Sequence, residues 1–267
     1  MNAPPPVALT IAGSDCSAGA GLQADLKTFQ HFHVHGLTAV TCVVSETANV
    51  VQAIHAVPPE IVADQVALLL DSFPVAAIKT GMLFSAPHIE AILAVLERHP
   101  GIPLVVDPVM IASTGDSLLE PEAVTAIRDR LLPLASLVTP NLPEAEALAG
   151  ETIRSIDDLE RVAILLRDRF GCAFLVKGGH LDGPDCLDVL ADGSGLHHFT
   201  NARIPLPGSH GTGCTLSAAI TAQLALGHCL KDSVAIAKGY LTRTLAESYT
   251  FSKPGSEVHA LNQGTRP

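Results

Sequence analysis

No run of roughly 18 or more apolar residues occurs in this chain, and the opening MNAPPPVALT has neither the basic stretch nor the apolar core of a signal peptide. No membrane partner is therefore expected, and the protein reads as soluble and cytoplasmic. The chain has little charge of positive sign. Sixteen Lys and Arg against 27 Asp and Glu give a net charge of −11, and no basic cluster is present, which argues against a nucleic-acid or anionic-membrane surface. The six cysteines (Cys16, Cys42, Cys172, Cys186, Cys214 and Cys229) form no CxxC pair, so neither a disulfide framework nor a structural zinc site is expected. His31, His33 and His35 lack an acidic or thiol partner at metal spacing. A GxxxxGK[ST] loop and a GxGxxG turn after a strand are both missing, which weighs against a P-loop NTPase and a dinucleotide enzyme.

With 48% hydrophobic residues, the 267-residue chain can bury a large core, and one domain spanning 1–267 is the simplest organisation. Residues 1–6 and the tail 253–267 are expected to be mobile. Short apolar runs (VALTIAGS, LTAVTCVV, AAIKTGM, LVVDPVM, SLVTPN, AFLVKGG) read as strands buried on both faces. Amphipathic patterns at 59–72, 86–99, 120–132 and 155–170 read as the crossover helices between them. CLDVLADG and LHHFTNARI, separated by a glycine-containing turn, read as a hairpin on one edge. The expected fold is a three-layer α/β/α sandwich with a mostly parallel sheet. Ligands bind at the carboxyl ends of the strands in such sheets.

The polar residues that close the apolar runs are therefore the candidates. Gly211 and Gly213 in SHGTGCTLSAAI precede an apolar helix, and converging amides at a helix start can cradle an anion; an ordinary tight turn is the alternative. Lys177 ends AFLVK and is followed by Gly178, Gly179 and His180, which suits a polyphosphate, or equally a solvated turn. Asp15, Asp25 and Asp107 lie at or just after strand ends. Asn141 and Glu144 in TPNLPEAEAL are spaced to hold magnesium through water, or to cap a helix with Asn141 as its first residue.

Taken in order, TIAGSDCSAGAGLQADLKTF, KTGML, VVDPVM, TPNLPEAEAL, LVKGGH and SHGTGCTLSAAI resemble the ribokinase-like superfamily, and more narrowly the hydroxymethylpyrimidine/phosphomethylpyrimidine kinases of thiamin biosynthesis. The resemblance runs from about Val7 to about Ala246. It implies a homodimeric kinase that uses ATP and Mg2+ to phosphorylate 4-amino-5-hydroxymethyl-2-methylpyrimidine and then its monophosphate. It also implies roles for residues. Gly211, Thr212, Gly213 and Cys214 form the anion hole, with Cys214 as the base. Lys177 contacts the ATP phosphates, while Asn141, Glu144 and Asp107 organise the metal. Gly13, Ala20, Asp25, Glu46, Met82 and Val109 take substrate-pocket positions.

Cysteine replaces the aspartate that most sugar kinases of the superfamily carry at the base position. A helix start or a nearby cation lowers a thiol's pKa, so a thiolate is expected at Cys214. Two departures from the family pattern stand out. Glu46 occupies the place of a glutamine, exchanging an amide that donates and accepts for a carboxylate that only accepts. Cys16 and Ala18 stand where proline and glycine are usual. The rival readings are a pyridoxal kinase and a non-catalytic pyrimidine-binding protein. Lys177, Asn141, Glu144 and the GTGC loop argue against the second, since binding a neutral pyrimidine needs none of them.

Overall fold

The structure is a computed structural model that describes residues 3–110, 120–179, 181, 183–206, 208 and 210–264. His180 and Ser209 lie outside the described residues. Alternation of side chains builds the middle layer. In β1 (Val7–Asp15), Val7, Leu9 and Ile11 enter one apolar cluster while Ala8 enters another on the opposite face. In β5 (Leu104–Val106) and β7 (Ala173–Lys177) the same period-two pattern places Val106 and Val176 on the first face and Val105 and Leu175 on the second. Burying a side chain such as Leu9 or Ile11 completely contributes about 1.5–3 kcal/mol each. That is why these runs stay continuous rather than alternating with polar residues.

The remaining strands are β2 (His35–Thr47), β3 (Val50–Ala56), β4 (Val75–Thr80), β6 (Leu137–Val138), β8 (Asp185–Asp192) and β9 (Gly195–Ala202). They join the others in one nine-stranded sheet, ordered β3-β2-β1-β4-β5-β6-β7-β8-β9. β2, β1, β4, β5, β6 and β7 are parallel, so their carboxyl ends lie along one edge. The hairpin β8–β9 is the expected one, and β2–β3 forms a second antiparallel pair at the opposite edge.

Helices α2 (Pro59–Ser72), α3 (Ala86–Leu96), α4 (Pro121–Ala126), α5 (Leu142–Ala149) and α6 (Ile156–Phe170) contribute to the first cluster. α1 (Gly21–His31), α7 (Thr212–Ala225) and α8 (Leu230–Ala246) cover the other face. Their termini follow local chemistry. α6 begins at Ser155, whose hydroxyl accepts the Asp158 amide, and ends at Gly171 with φ of 70°. The segment expected as one helix over 120–132 is helical only to Ala126, then continues as a π turn and a 3-10 turn containing Pro133.

β10 (Tyr249–Lys253) and β11 (Ser256–Ala260) form a hairpin, and beyond it Leu261 and Gln263 are buried.

Candidate active site

A cleft of about 770 Å³ opens along the carboxyl edge of the parallel strands. Its position follows from the topology, because the strand order reverses between β1 and β4 and the loops there part to opposite faces. Every site residue expected from the sequence lines this cleft except Asp25. Gly13, Ala20, Glu46, Met82 and Val109 border it together with Asp107, Asn141, Glu144, Lys177 and the segment Gly211–Cys214, and Gly213 lies against Lys177 and Asp107.

The turn after β1 is organised by one carboxylate. Asp15 is buried and accepts the amides of Ser17 (2.7 Å), Gly19 (3.1 Å) and Ala20 (2.8 Å) and Nε2 of His210 (3.1 Å). Burial alone would raise its pKa, but His210, Ser17 and the Ala20 amide outweigh it and hold the carboxyl at about 2. This ties the loop after β1 to the segment that leads into α7. Gly211 sits in the left-handed region (φ 81°), and a Cβ there would overlap the carbonyl oxygen of Gly19, so the two loops pack backbone to backbone.

At the centre, Lys177 Nζ lies 3.3 Å from Asp107 Oδ1. Burial works against the ammonium, but Asp107 and Glu144 more than offset it and keep the lysine charged. Asp107 also accepts from Thr139 Oγ1 (3.3 Å) and Ser217 Oγ (3.2 Å), which fixes it under the start of α7. Asn141 and Glu144 form a capping box: Asn141 Oδ1 accepts the Glu144 amide and Glu144 Oε2 accepts the Asn141 amide, both at 2.9 Å. The capping alternative is thus realised, and the Glu144 carboxylate still borders the cleft. Burial, partly opposed by Lys177, raises its pKa to about 7.

Cys214 stands in the first turn of α7. The thiolate expected from the helix start is not the resting form. Burial pushes the thiol up to about 11, against the lowering effect of Lys79, and Asp25 and Asp107 add to the rise.

Asp25 requires a correction. It is fully buried behind the cleft, where Oδ2 accepts from Thr10 Oγ1 (2.6 Å) and pairs with Lys79 Nζ (2.8 Å). Lys79, not Asp25, reaches the cleft wall. The lysine is also fully buried; burial disfavours its charge, but the Asp25 carboxylate overrides that and raises its pKa. The sequence did carry a signal for it, since a lysine inside the apolar run VAAIKT requires a buried counter-charge. A second pair that the sequence pattern does not reveal joins Asp188 on β8 to Lys238 on α8 at 2.5 Å. Asp188 also accepts the Gly178 amide at 3.1 Å and so fixes the turn after Lys177.

This geometry agrees with what the chain is similar to. Residues 15–259 match the phosphomethylpyrimidine kinase family. The chain belongs to that family. It is 43% identical, over 93% of its length and 94% of the relative's, to a hydroxymethylpyrimidine/phosphomethylpyrimidine kinase of Synechococcus elongatus. It is 44% identical to a thiamine biosynthesis bifunctional protein of Geobacter sulfurreducens over 89% of this chain but only 48% of that protein. A putative hydroxymethylpyrimidine/phosphomethylpyrimidine kinase 2 of Schizosaccharomyces pombe is likewise matched over 50% of its length, so the chain spans about half of these two relatives.

Among solved structures, a phosphomethylpyrimidine kinase of Clostridium difficile superposes with a TM-score of 0.80 at 38% identity, covering 89% of this chain and 98% of that one. A Staphylococcus aureus pyridoxal kinase, solved with AMP-PCP and pyridoxal, gives 0.87 at 35% identity over 98% and 94%. The fold is therefore that of the ribokinase-like kinases, and the family is one of phosphotransferases.

Proposed function

We propose that this chain transfers the γ-phosphoryl group of ATP to the hydroxymethyl group of 4-amino-5-hydroxymethyl-2-methylpyrimidine, and a second one to the resulting monophosphate. One observation supports the reading: a single cleft is bordered by Glu46 and Met82 as well as by Lys177 and the segment Gly211–Cys214. Phosphoryl transfer depends mainly on alignment and charge neutralisation. Lys177 meets the phosphates as a charged ammonium, and the start of α7 offers amides and its positive dipole end to the transferred group. Cys214 faces the attacking hydroxyl as a neutral thiol in the resting protein. Loss of the thiol proton to solvent gives the thiolate, which the Lys79 charge favours, and the thiolate then accepts the hydroxyl proton.

The residues fit a magnesium ion. Mg2+ takes one or two carboxylates and keeps water and phosphate oxygens for its other positions. Asp107 and Glu144 are two buried carboxylates of that kind, with Asn141 beside them. Among the described residues, no larger His, Cys, Asp or Glu cluster competes. When bound, the ion neutralises phosphate charge.

A pyridoxal kinase is the second reading, favoured by the TM-score of 0.87 to the pyridoxal-bound neighbour. We further read the protein as a cytoplasmic homodimer; no described helix is long and apolar enough to cross a membrane, and Val50 and Val51 stand exposed on the edge strand β3. The deciding experiment offers hydroxymethylpyrimidine, its monophosphate and pyridoxal to the purified protein with Mg-ATP and weighs the products. Mono- and diphosphate of the pyrimidine are expected. Phosphorylation of pyridoxal alone moves the activity to vitamin B6 salvage, and turnover of none of them restores the non-catalytic reading.

A further inference from the structure

The segment after β11 is fastened to α8 along its length. Asn262 donates its amide to Thr244 O (3.2 Å), Tyr240 donates its hydroxyl to Gln263 O (2.9 Å), and Arg243 donates to Gly264 O (3.1 Å). From this anchored backbone the Gln263 side chain, 2% exposed, turns inward. Its Nε2 donates to Gly19 O and to Thr215 Oγ1, both at 3.2 Å.

These two acceptors belong to two segments that meet beside the cleft. Gly19 is in the turn organised by Asp15, next to Ala20 on the cleft wall; Thr215 follows Cys214 in the first turn of α7. An amide nitrogen has two hydrogens, and Gln263 directs one to each side. The Gly19 oxygen already lies against Gly211, so the glutamine clamps a junction that has no spare room.

We infer that Gln263 is a positioning residue for phosphoryl transfer, holding the acceptor-side loop at Gly19 in register with the turn of α7 that carries Cys214. This rests on the kinase reading above. The clamp acts on the distance between acceptor hydroxyl and thiol, whereas the nucleotide contacts at Lys177, Asn141 and Glu144 come from the end of β7 and the start of α5 and do not pass through it. Losing the clamp separates the two sides without emptying either.

The test uses the full chain with Gln263→Met, which matches the length but donates nothing, and Gln263→Asn, which keeps the amide but is one methylene too short to bridge. Steady-state kinetics with the pyrimidine and Mg-ATP are combined with site-resolved alkylation of Cys214 by iodoacetamide, with the exposed Cys229, outside both clamped segments, as internal reference. For both variants we expect kcat to fall roughly tenfold or more and the pyrimidine KM to rise, while the ATP KM stays within about twofold, as misplacement of reacting groups by a fraction of an ångström implies. The Cys214-to-Cys229 alkylation ratio should shift by about threefold or more, in keeping with the dependence of thiol reactivity on its surroundings.

A stability role alone would lower the melting temperature and leave the constants of the folded protein unchanged, which overturns the inference. If the wild type turns over no acceptor, the kinase reading fails and the alkylation ratio decides by itself. An unchanged ratio in folded variants then sinks the clamp. Where Gln263→Met fails to fold, Gln263→Asn decides on both readouts.

Discussion

Replacing Lys79 with methionine keeps the side-chain volume in β4 but removes the only charge that faces Asp25 within hydrogen-bonding distance among the described residues. Asp25 is fully buried; among the described residues its Oδ1 has no hydrogen-bond partner and Oδ2 would retain only Thr10 at 2.6 Å. Removing one partner of such a pair costs about 3–5 kcal/mol, because an unpaired charge stays in a low-dielectric interior. At about 2–4 °C per kcal/mol for domains of roughly this size, the melting temperature should fall by on the order of 10 °C.

The sign of the pH effect is fixed too. Burial raises the Asp25 pKa and Lys79 opposes that rise, so without Lys79 the carboxyl is protonated more readily in the folded state. Its proton-linked stability is fully present below the unfolded pKa and is lost as pH rises through the folded one. The deficit of Lys79→Met should therefore shrink on acidification. Lys79→Met/Asp25→Leu, which removes both charges, should recover most of the loss. Urea unfolding of the two single variants and the double variant measures all three terms. A single-variant cost below about 1 kcal/mol, or a double variant as unstable as the sum of the singles, would refute the account of a desolvated pair.

Further outcomes follow from other parts of the site. Because the Cys214 thiol sits at about 11 in the resting protein, kcat/KM should climb between neutral and alkaline pH, and Cys214→Ser should abolish the climb and most of the rate; a flat wild-type profile would exclude a thiolate base. Glu46 borders the cleft and its pKa is raised by burial and by Asp15, so pyrimidine affinity should vary with pH as the carboxylate forms and meets a protonated ring nitrogen. Calorimetry on Glu46→Gln should lose that component, and superimposable profiles would count against the contact. Ala18 has φ of 60°, a left-handed conformation costing about 1–2 kcal/mol for a non-glycine residue, so Ala18→Gly should raise the melting temperature; a lower one would mean that the alanine methyl packs productively.

Much of this architecture was legible because each parallel strand announces itself as a short apolar run and stops at a polar residue. Asp107, Asn141 and Lys177 were singled out on that ground, and they meet in the cleft. What escaped the sequence escaped for physical reasons. β3 is exposed along nearly its whole length, so VVQAIHA carries no buried period. α8 mixes Gly239, Lys238 and Arg243 into its span, which blurs a helical stripe. The partners Asp25 and Lys79, like Gln263 and Gly19, are brought together only by tertiary folding. The ionisation of Cys214 was misjudged because the helix start was counted and the depth of burial was not.

On the proposed function the β2–β3 hairpin separates two tasks within one cleft: Glu46 would read the acceptor from it, while the groups that would handle phosphate follow β5 and β6, end β7 and open α5 and α7. An edge hairpin is the part of a sheet whose exchange disturbs the fewest neighbours. Acceptor choice can therefore drift, or be grafted from one kinase to another, with the phosphate machinery left standing, and a chain of this design is a natural starting point for retargeting the same reaction to other small alcohols.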